Sequence, residues 1–266
     1  MENKEPNRYT KILEAIFRKY FKKGKTEIEF ERTEFSRVAD ELGILLPKNL
    51  GDVLYSFRYR TSLPKSITSR APKGYEWIIR PAGRGKYKLV VVRQSNIAPS
   101  TILAETKIPD ATPGVIAKYS MNQEQSLLAK IRYNRLIDIF TGLTCYSLQN
   151  HLRTTLTDGS QVETDEIYIG LDKRGVHYVL PVQAKGGKDR IGIVQIEQDF
   201  ELCGRKFPGL ICRAIAAQFM EANLMALFEF EQSNDGVRVS SERHYRLVDV
   251  SELSPEELQT YSTRQT

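Results

Sequence analysis

The stretch VETDEIYIGLDKRGVHYVLPVQAK, residues 162–185, decides how the chain is read. Two apolar runs, VETDEIYIG (162–170) and a second that closes on PVQAK (181–185), flank LDKRG (171–175), whose composition suits a turn. Both runs read as β-strands of one hairpin. Side chains two apart on a strand share a face, so Glu163 and Asp165 point one way, as do Gln183 and Lys185. A hairpin closed by 171–175 puts Asp165 opposite residue 181 or 182, beside Gln183. A carboxylate, an amide oxygen and an ammonium group then meet at one strand end.

Such a grouping has a use. Mg²⁺ is a hard cation that takes oxygen ligands, and the Asp165 carboxylate, the Gln183 amide and the Ala184 carbonyl offer three; Mn²⁺ is the alternative ion. A bound cation lowers the pKa of water and stabilises charge on a phosphate oxygen. Lys185 is placed to orient the attacking water or assist its deprotonation, and its charge favours a pentavalent transition state. Phosphodiester hydrolysis needs those parts.

Working outward, GGKDR (186–190) supplies Lys188 and Arg190 as phosphate contacts, and a helix follows over 191–203. A second helix is expected to start at Pro208 and run through Phe219. Strands fit LMALFEFEQ (224–232) and VRVSSERHYRLVDV (237–250), with 233–236 as the turn between them. Upstream, NQEQSLLAKIRYNRLIDIF (122–140) predicts one long helix with Leu127, Leu128, Ile131 and Phe140 on its apolar face, Glu124 near its start and Gly142 closing it. CYSLQNHLRTTL (145–156) gives no clear period.

The pair ETDEIYIG…PVQAK resembles the PD-(D/E)xK nucleases, the superfamily of many type II restriction endonucleases and repair nucleases. The resemblance covers about residues 121–232. It implies an α/β (overall α+β) fold: a mixed sheet flanked by helices, its core ordered as helix, a run of strands, helix, strand. Asp165 matches the first acidic residue of the motif, Gln183 the second and Lys185 the lysine. Thr164 stands where the motif has proline, and Gln183 stands where it usually has Asp or Glu. The glutamine removes one negative charge, which Glu163 or Glu124 would make up as a metal ligand. Some members carry a glutamate on the preceding helix, for which Glu124 is the candidate. Others carry a glutamine on the following helix, where Gln195 fits as a supporting residue.

The first part of the chain reads differently. Residues 1–100 hold 21 Lys and Arg against 11 Asp and Glu, whereas the remainder holds 18 against 22. A basic first part joined to a mildly acidic second part implies a division of labour. RYTKILEAIFRKYF (8–21) has helical spacing, Gly24 breaks it, and a short strand follows. Thr33 is expected as the N-cap of a helix that stops at Gly43. LGDVLYSFRYR (50–60) predicts another helix, and YEWIIRPAGRGKYKLVVV (75–92) a β-hairpin. Two helices across a short turn, then a hairpin, describe a winged helix-turn-helix. In that reading Lys48, Asn49, Ser56, Arg58, Tyr59 and Arg60 belong to the groove-facing helix and its entry. Arg84 and Lys86, between glycines at the hairpin tip, suit a phosphate backbone.

The expected organisation is a winged-helix-like DNA-binding domain over 1–95, a linker over 96–120, a nuclease domain over 121–250 and a polar tail over 251–266 with a short helix at PEEL. Three cysteines without CxxC spacing and three scattered histidines argue against a disulfide framework or a zinc site. GRGKYK is not a P-loop. No apolar run reaches the roughly 18 residues of a membrane span, and MENKEPNRYT has no signal-peptide pattern, so a cytoplasmic protein is expected. The expected function is Mg²⁺-dependent cleavage of double-stranded DNA by a homodimeric type II restriction endonuclease, partnered by a cognate DNA methyltransferase. The competing readings are a structure-specific repair or junction nuclease and a non-catalytic winged-helix regulator.

Overall fold

The computed structural model describes residues 8–48, 50–59, 61–93, 96–119, 123–156, 159, 161–186, 189–233 and 236–263. The chain divides into two compact units, one of residues 1–97 with 155–162 and 192–194, the other of 98–154, 163–191 and 195–266.

The first unit runs α1 (Arg8–Tyr20), β1 (Glu27–Glu31), α2 (Arg32–Glu41), α3 (Leu50–Tyr59), α4 (Lys65–Thr68), β2 (Glu76–Pro81), β3 (Lys86–Val92) and β4 (Asn96–Ile97). Its sheet has the order β1-β3-β2, both pairings antiparallel. Strict alternation in EIEFE turns Ile28 and Phe30 inward and the glutamates outward. Leu89 of β3 pairs with Ile28 on one side and Ile79 on the other, so the three strands present one apolar face. Ile12, Leu13 and Ile16 of α1 bury against that core, and Phe17 meets Trp77 edge-on at 5.2 Å. Gly43, at φ 64°, occupies the left-handed position that follows α2. Thr33 is not the cap of α2. The helix starts one residue earlier, at Arg32, and Thr33 Oγ1 donates instead to Glu31 Oε2. The hairpin tip turns through Gly83 (φ 117°) and Gly85 (φ 74°), which frees the Arg84 side chain into solvent.

The second unit holds, apart from residues 155, 161–162 and 192–194, which group with the first, β5 (Glu105–Pro109), α5 (Gly114–Tyr119), α6 (Gln123–Tyr133), α7 (Leu136–Thr141), β6 (Thr144–Thr155), β7 (Gln161–Leu171), β8 (His177–Lys185), β9 (Ile191–Gly192), α8 (Ile193–Lys206), β10 (Ile211–Cys212), β11 (Ala214–Phe219), β12 (Leu224–Ser233), β13 (Gly236–Val248) and α9 (Pro255–Thr263). Its eight-stranded mixed sheet runs β5-β13-β12-β11-β8-β7-β6, with β10 pairing to β8 off that path. β7 and β8 are antiparallel, β8 and β11 parallel, and α8 makes the crossover between the parallel pair. Leu127, Leu128 and Ile131 of α6 pack on a sheet face formed by Leu180, Val182 and Ala184. Among the described residues no helix is long and apolar enough to cross a membrane.

Further expectations change here, and one unassigned stretch gains a place. The helix over 122–140 is two helices: Arg135 takes a left-handed conformation (φ 51°) between α6 and α7. Buried Asn134 accepts from the Ala111 N–H and donates to Thr112 Oγ1 and the Lys130 carbonyl, and these bonds hold the break in place. The segment after Pro208 is not a helix but β10 and β11. AIAAQF lies between β8 and β12, and small apolar residues suit a strand covered on both faces. The stretch 96–120, expected as a linker, contains β5, which pairs in parallel with β13, and α5. The stretch 145–156 lies within β6, the edge strand, apart from Leu156.

Ile131 is fully buried where α6 meets the sheet. Ile131→Ala is expected to lower unfolding stability by about 2–5 kcal/mol in urea titration.

Candidate active site

The turn that closes β7 and β8 is built by Asp172, which accepts from the N–H groups of Arg174 and Val176. Gly175, at φ 80°, completes it. Leu171 pairs with His177 and Glu166 with Val182, so the register differs from the expected placement of Asp165 opposite residue 181 or 182. The ladder stops at Glu166, one residue short of Asp165. There the chain departs from regular alternation. Glu166 lies on the α6 side, held by Arg132, yet Thr164, two residues earlier, reaches Asp199 of α8.

At this point Asp165 turns its carboxylate onto β8: Oδ2 accepts the Ala184 N–H at 2.8 Å. That bond sets the acid directly between Gln183 and Lys185 along the neighbouring strand. Lys185 is largely buried and reaches Glu124 Oε1 at 3.9 Å. Asp165, Ala184, Lys185 and Glu124, all singled out in the sequence, are therefore linked in one chain of contacts.

Gln183 is also buried, and it points toward α8. Its Nε2 donates to both Asp199 oxygens, at 3.0 and 3.2 Å, and to the Glu163 carbonyl at 3.1 Å. Thr164 Oγ1 donates to the same Asp199 carboxyl. Burial pushes the Asp199 carboxyl up to about 7, and the nearby charge of Asp165 adds to the rise. The hydrogen bonds from Thr164 and Gln183, and the Lys185 charge, oppose it.

Glu163 is occupied elsewhere: its Oε1 lies 3.1 Å from Arg153 Nε and 3.7 Å from His151 Nδ1. Gln195 sits on α8 one turn before Asp199, half-buried. Arg190 is exposed, while Lys188 lies outside the described residues. In the first unit Lys48, Arg84 and Lys86 are exposed, with Lys86 3.9 Å from Glu31. Ser56 shares a hydrogen bond with Thr61, and Arg58 is half-buried at the end of α3. Asn49, Arg60 and the Tyr59 side chain are outside the described residues.

Three residues beside the predicted set were not anticipated. Asp199 accepts from both the Gln183 amide and Thr164, and Glu166 is fully buried with Arg132 Nε (3.0 Å) and Ser147 Oγ (2.5 Å) on one oxygen. Asp199 had a signal: it lies on the apolar stripe of α8 with Ile196 and Cys203, where a charged residue is out of place unless something answers it.

Among the described residues no three His, Cys, Asp or Glu side chains are grouped to hold a metal. The donors available at the strand end are of mixed type. Asp165 Oδ1 and Gln183 Oε1 carry no hydrogen bond among the described residues, and both are the hard oxygen donors that Mg²⁺ takes. In donor type alone, these two oxygens suit a divalent ion of that kind.

No family model, curated protein or solved structure matches this chain.

Asp199 gives a pH prediction. Its folded pKa, about 7, exceeds the ordinary 3.8, so the native state keeps a proton that the unfolded chain gives up. Stability in EDTA should then fall as pH rises between those values, with a slope from this group of at most about 1.4 kcal/mol per pH unit. Urea titrations across that window should show the fall, and Asp199→Asn should flatten it.

Proposed function

We propose that this chain is a metal-dependent DNA endonuclease of the PD-(D/E)xK kind, with a winged-helix-like first unit that grips the duplex. The observation that carries the reading is the Asp165–Ala184 bond, which joins the acid to the strand end that bears Gln183 and Lys185. The element order supports it too: helices α6 and α7, strands β6 to β8, helix α8, then the parallel strand β11, as the resemblance implies for a restriction-endonuclease-like core. In the first unit, the order of one helix, a strand, two helices and a hairpin wing, with a β1-β3-β2 sheet, supports a winged helix.

In this reading Asp165 and Gln183 would hold Mg²⁺ through their oxygens, with the Ala184 carbonyl at the same strand end. The ion supplies positive charge at the scissile phosphate. Lys185 orients the attacking water with its ammonium group and answers the charge that grows on the phosphoryl oxygens. Glu124, beside the Lys185 ammonium, holds that side chain toward the site. The basic first unit brings charge to the duplex backbone, with exposed Arg84 and Lys86 at the wing as phosphate contacts. Two cuts on antiparallel strands call for two copies of the chain. A reading unit and a cutting unit on one chain suit a type II restriction enzyme, which works alongside a DNA methyltransferase.

The test is cleavage of plasmid and phage DNA by the purified protein. Discrete bands should form with Mg²⁺ and be absent with EDTA. Lys185→Ala should abolish cleavage while retaining DNA binding in a gel-shift assay. Cleavage that survives Lys185→Ala, or no cleavage of any duplex by the wild type, would overturn the reading.

A further inference from the structure

We infer that Asp199 is a positioning residue that makes glutamine, and not the usual carboxylate, the competent residue at position 183. The inference rests on the nuclease reading and deepens it.

The argument is one of donors and acceptors. Three acceptor oxygens surround the end of the Gln183 side chain: both carboxyl oxygens of Asp199 and the carbonyl of Glu163. An amide NH₂ has two hydrogens to give and satisfies this wall. Turning the amide over would set Oε1 against oxygen acceptors in a buried place. The wall therefore fixes the amide orientation, with Nε2 toward α8 and Oε1 on the other side. Thr164 Oγ1, donating to Asp199, holds the carboxyl itself in place. Asp199 is fully buried and cannot swing into solvent to accommodate a different partner.

A glutamate at 183 meets the same wall with two oxygens and no N–H. Two carboxyl groups would face each other in a site closed to water, where both cannot stay ionised, and the bonds that Nε2 gives to Asp199 and to the Glu163 carbonyl would be lost. Gln183 is thus not a decayed form of an acidic ligand. It is the residue whose shape and polarity the α8 carboxyl requires, and its oxygen is presented because its nitrogen is held.

The test is a charge-exchange cycle of four proteins: wild type, Gln183→Glu, Asp199→Asn and the double variant. Each is assayed for plasmid cleavage at saturating Mg²⁺ and for melting temperature in EDTA. Gln183→Glu should lose on the order of 100-fold in cleavage and melt several degrees lower. The double variant, in which an amide at 199 faces a carboxylate at 183, should recover most of both losses. A Gln183→Glu protein as active and as stable as wild type would overturn the inference, as would a double variant no better than Gln183→Glu. The melting series decides independently of catalysis. If the wild type cuts no DNA, the nuclease reading fails, while recovery of stability in the double variant still upholds the pairing of 199 with 183.

Discussion

One hydrogen bond organises the second unit's strand end: the Ala184 N–H donated to Asp165 Oδ2. It forms where the β7–β8 ladder has stopped and the backbone of β7 no longer alternates regularly. A regular continuation would have paired Asp165 with β8 through main-chain bonds and left its side chain to one face. The break lets the carboxylate itself close the pair. The acid is held by a backbone donor that no substitution at 184 other than proline removes, and Gln183 and Lys185 adjoin that donor in the strand.

The two faces of β8 then carry different duties. Val182 and Ala184 pack against α6 and give the strand its apolar anchor. Gln183, between them, turns to the α8 side and is held by Asp199. Lys185, at the strand end, reaches back to Glu124 on α6. Both flanking helices are thereby tied by polar contacts to a single three-residue segment. Their positions and those of Gln183 and Lys185 depend on each other, and the core packing that steadies α6 also steadies this strand end.

How much of this the sequence carries depends on how local the cause is. The helices α1, α2 and α3, the β2–β3 hairpin and the β7–β8 pair have clear periodicity and glycines at their turns, and all were legible. The strand β11 falls inside the helix expected to start at Pro208; only its place between β8 and β12 makes small residues an advantage in a strand. The split between α6 and α7 comes from Asn134, whose partners at 111 and 112 are distant in sequence. β5 and β6 are edge strands, where half-exposed surroundings blur the alternation. At the site, the motif pattern points to Asp165, Gln183 and Lys185, and the family resemblance points to Glu124 on the preceding helix. Asp199 and Thr164 escaped because their role exists only once α8 is laid across β8. The pairing of Glu163 with Arg153 escaped for a similar reason, since it requires β6 beside β7.

The central claim is that the acid at 165, and not the neighbouring Glu163, anchors a divalent ion. Calorimetric titration of the EDTA-stripped protein with Mn²⁺ addresses it directly. The account predicts binding by the wild type, loss of binding in Asp165→Asn and retention in Glu163→Gln. Binding that persists unchanged in Asp165→Asn, or that disappears only in Glu163→Gln, would contradict it.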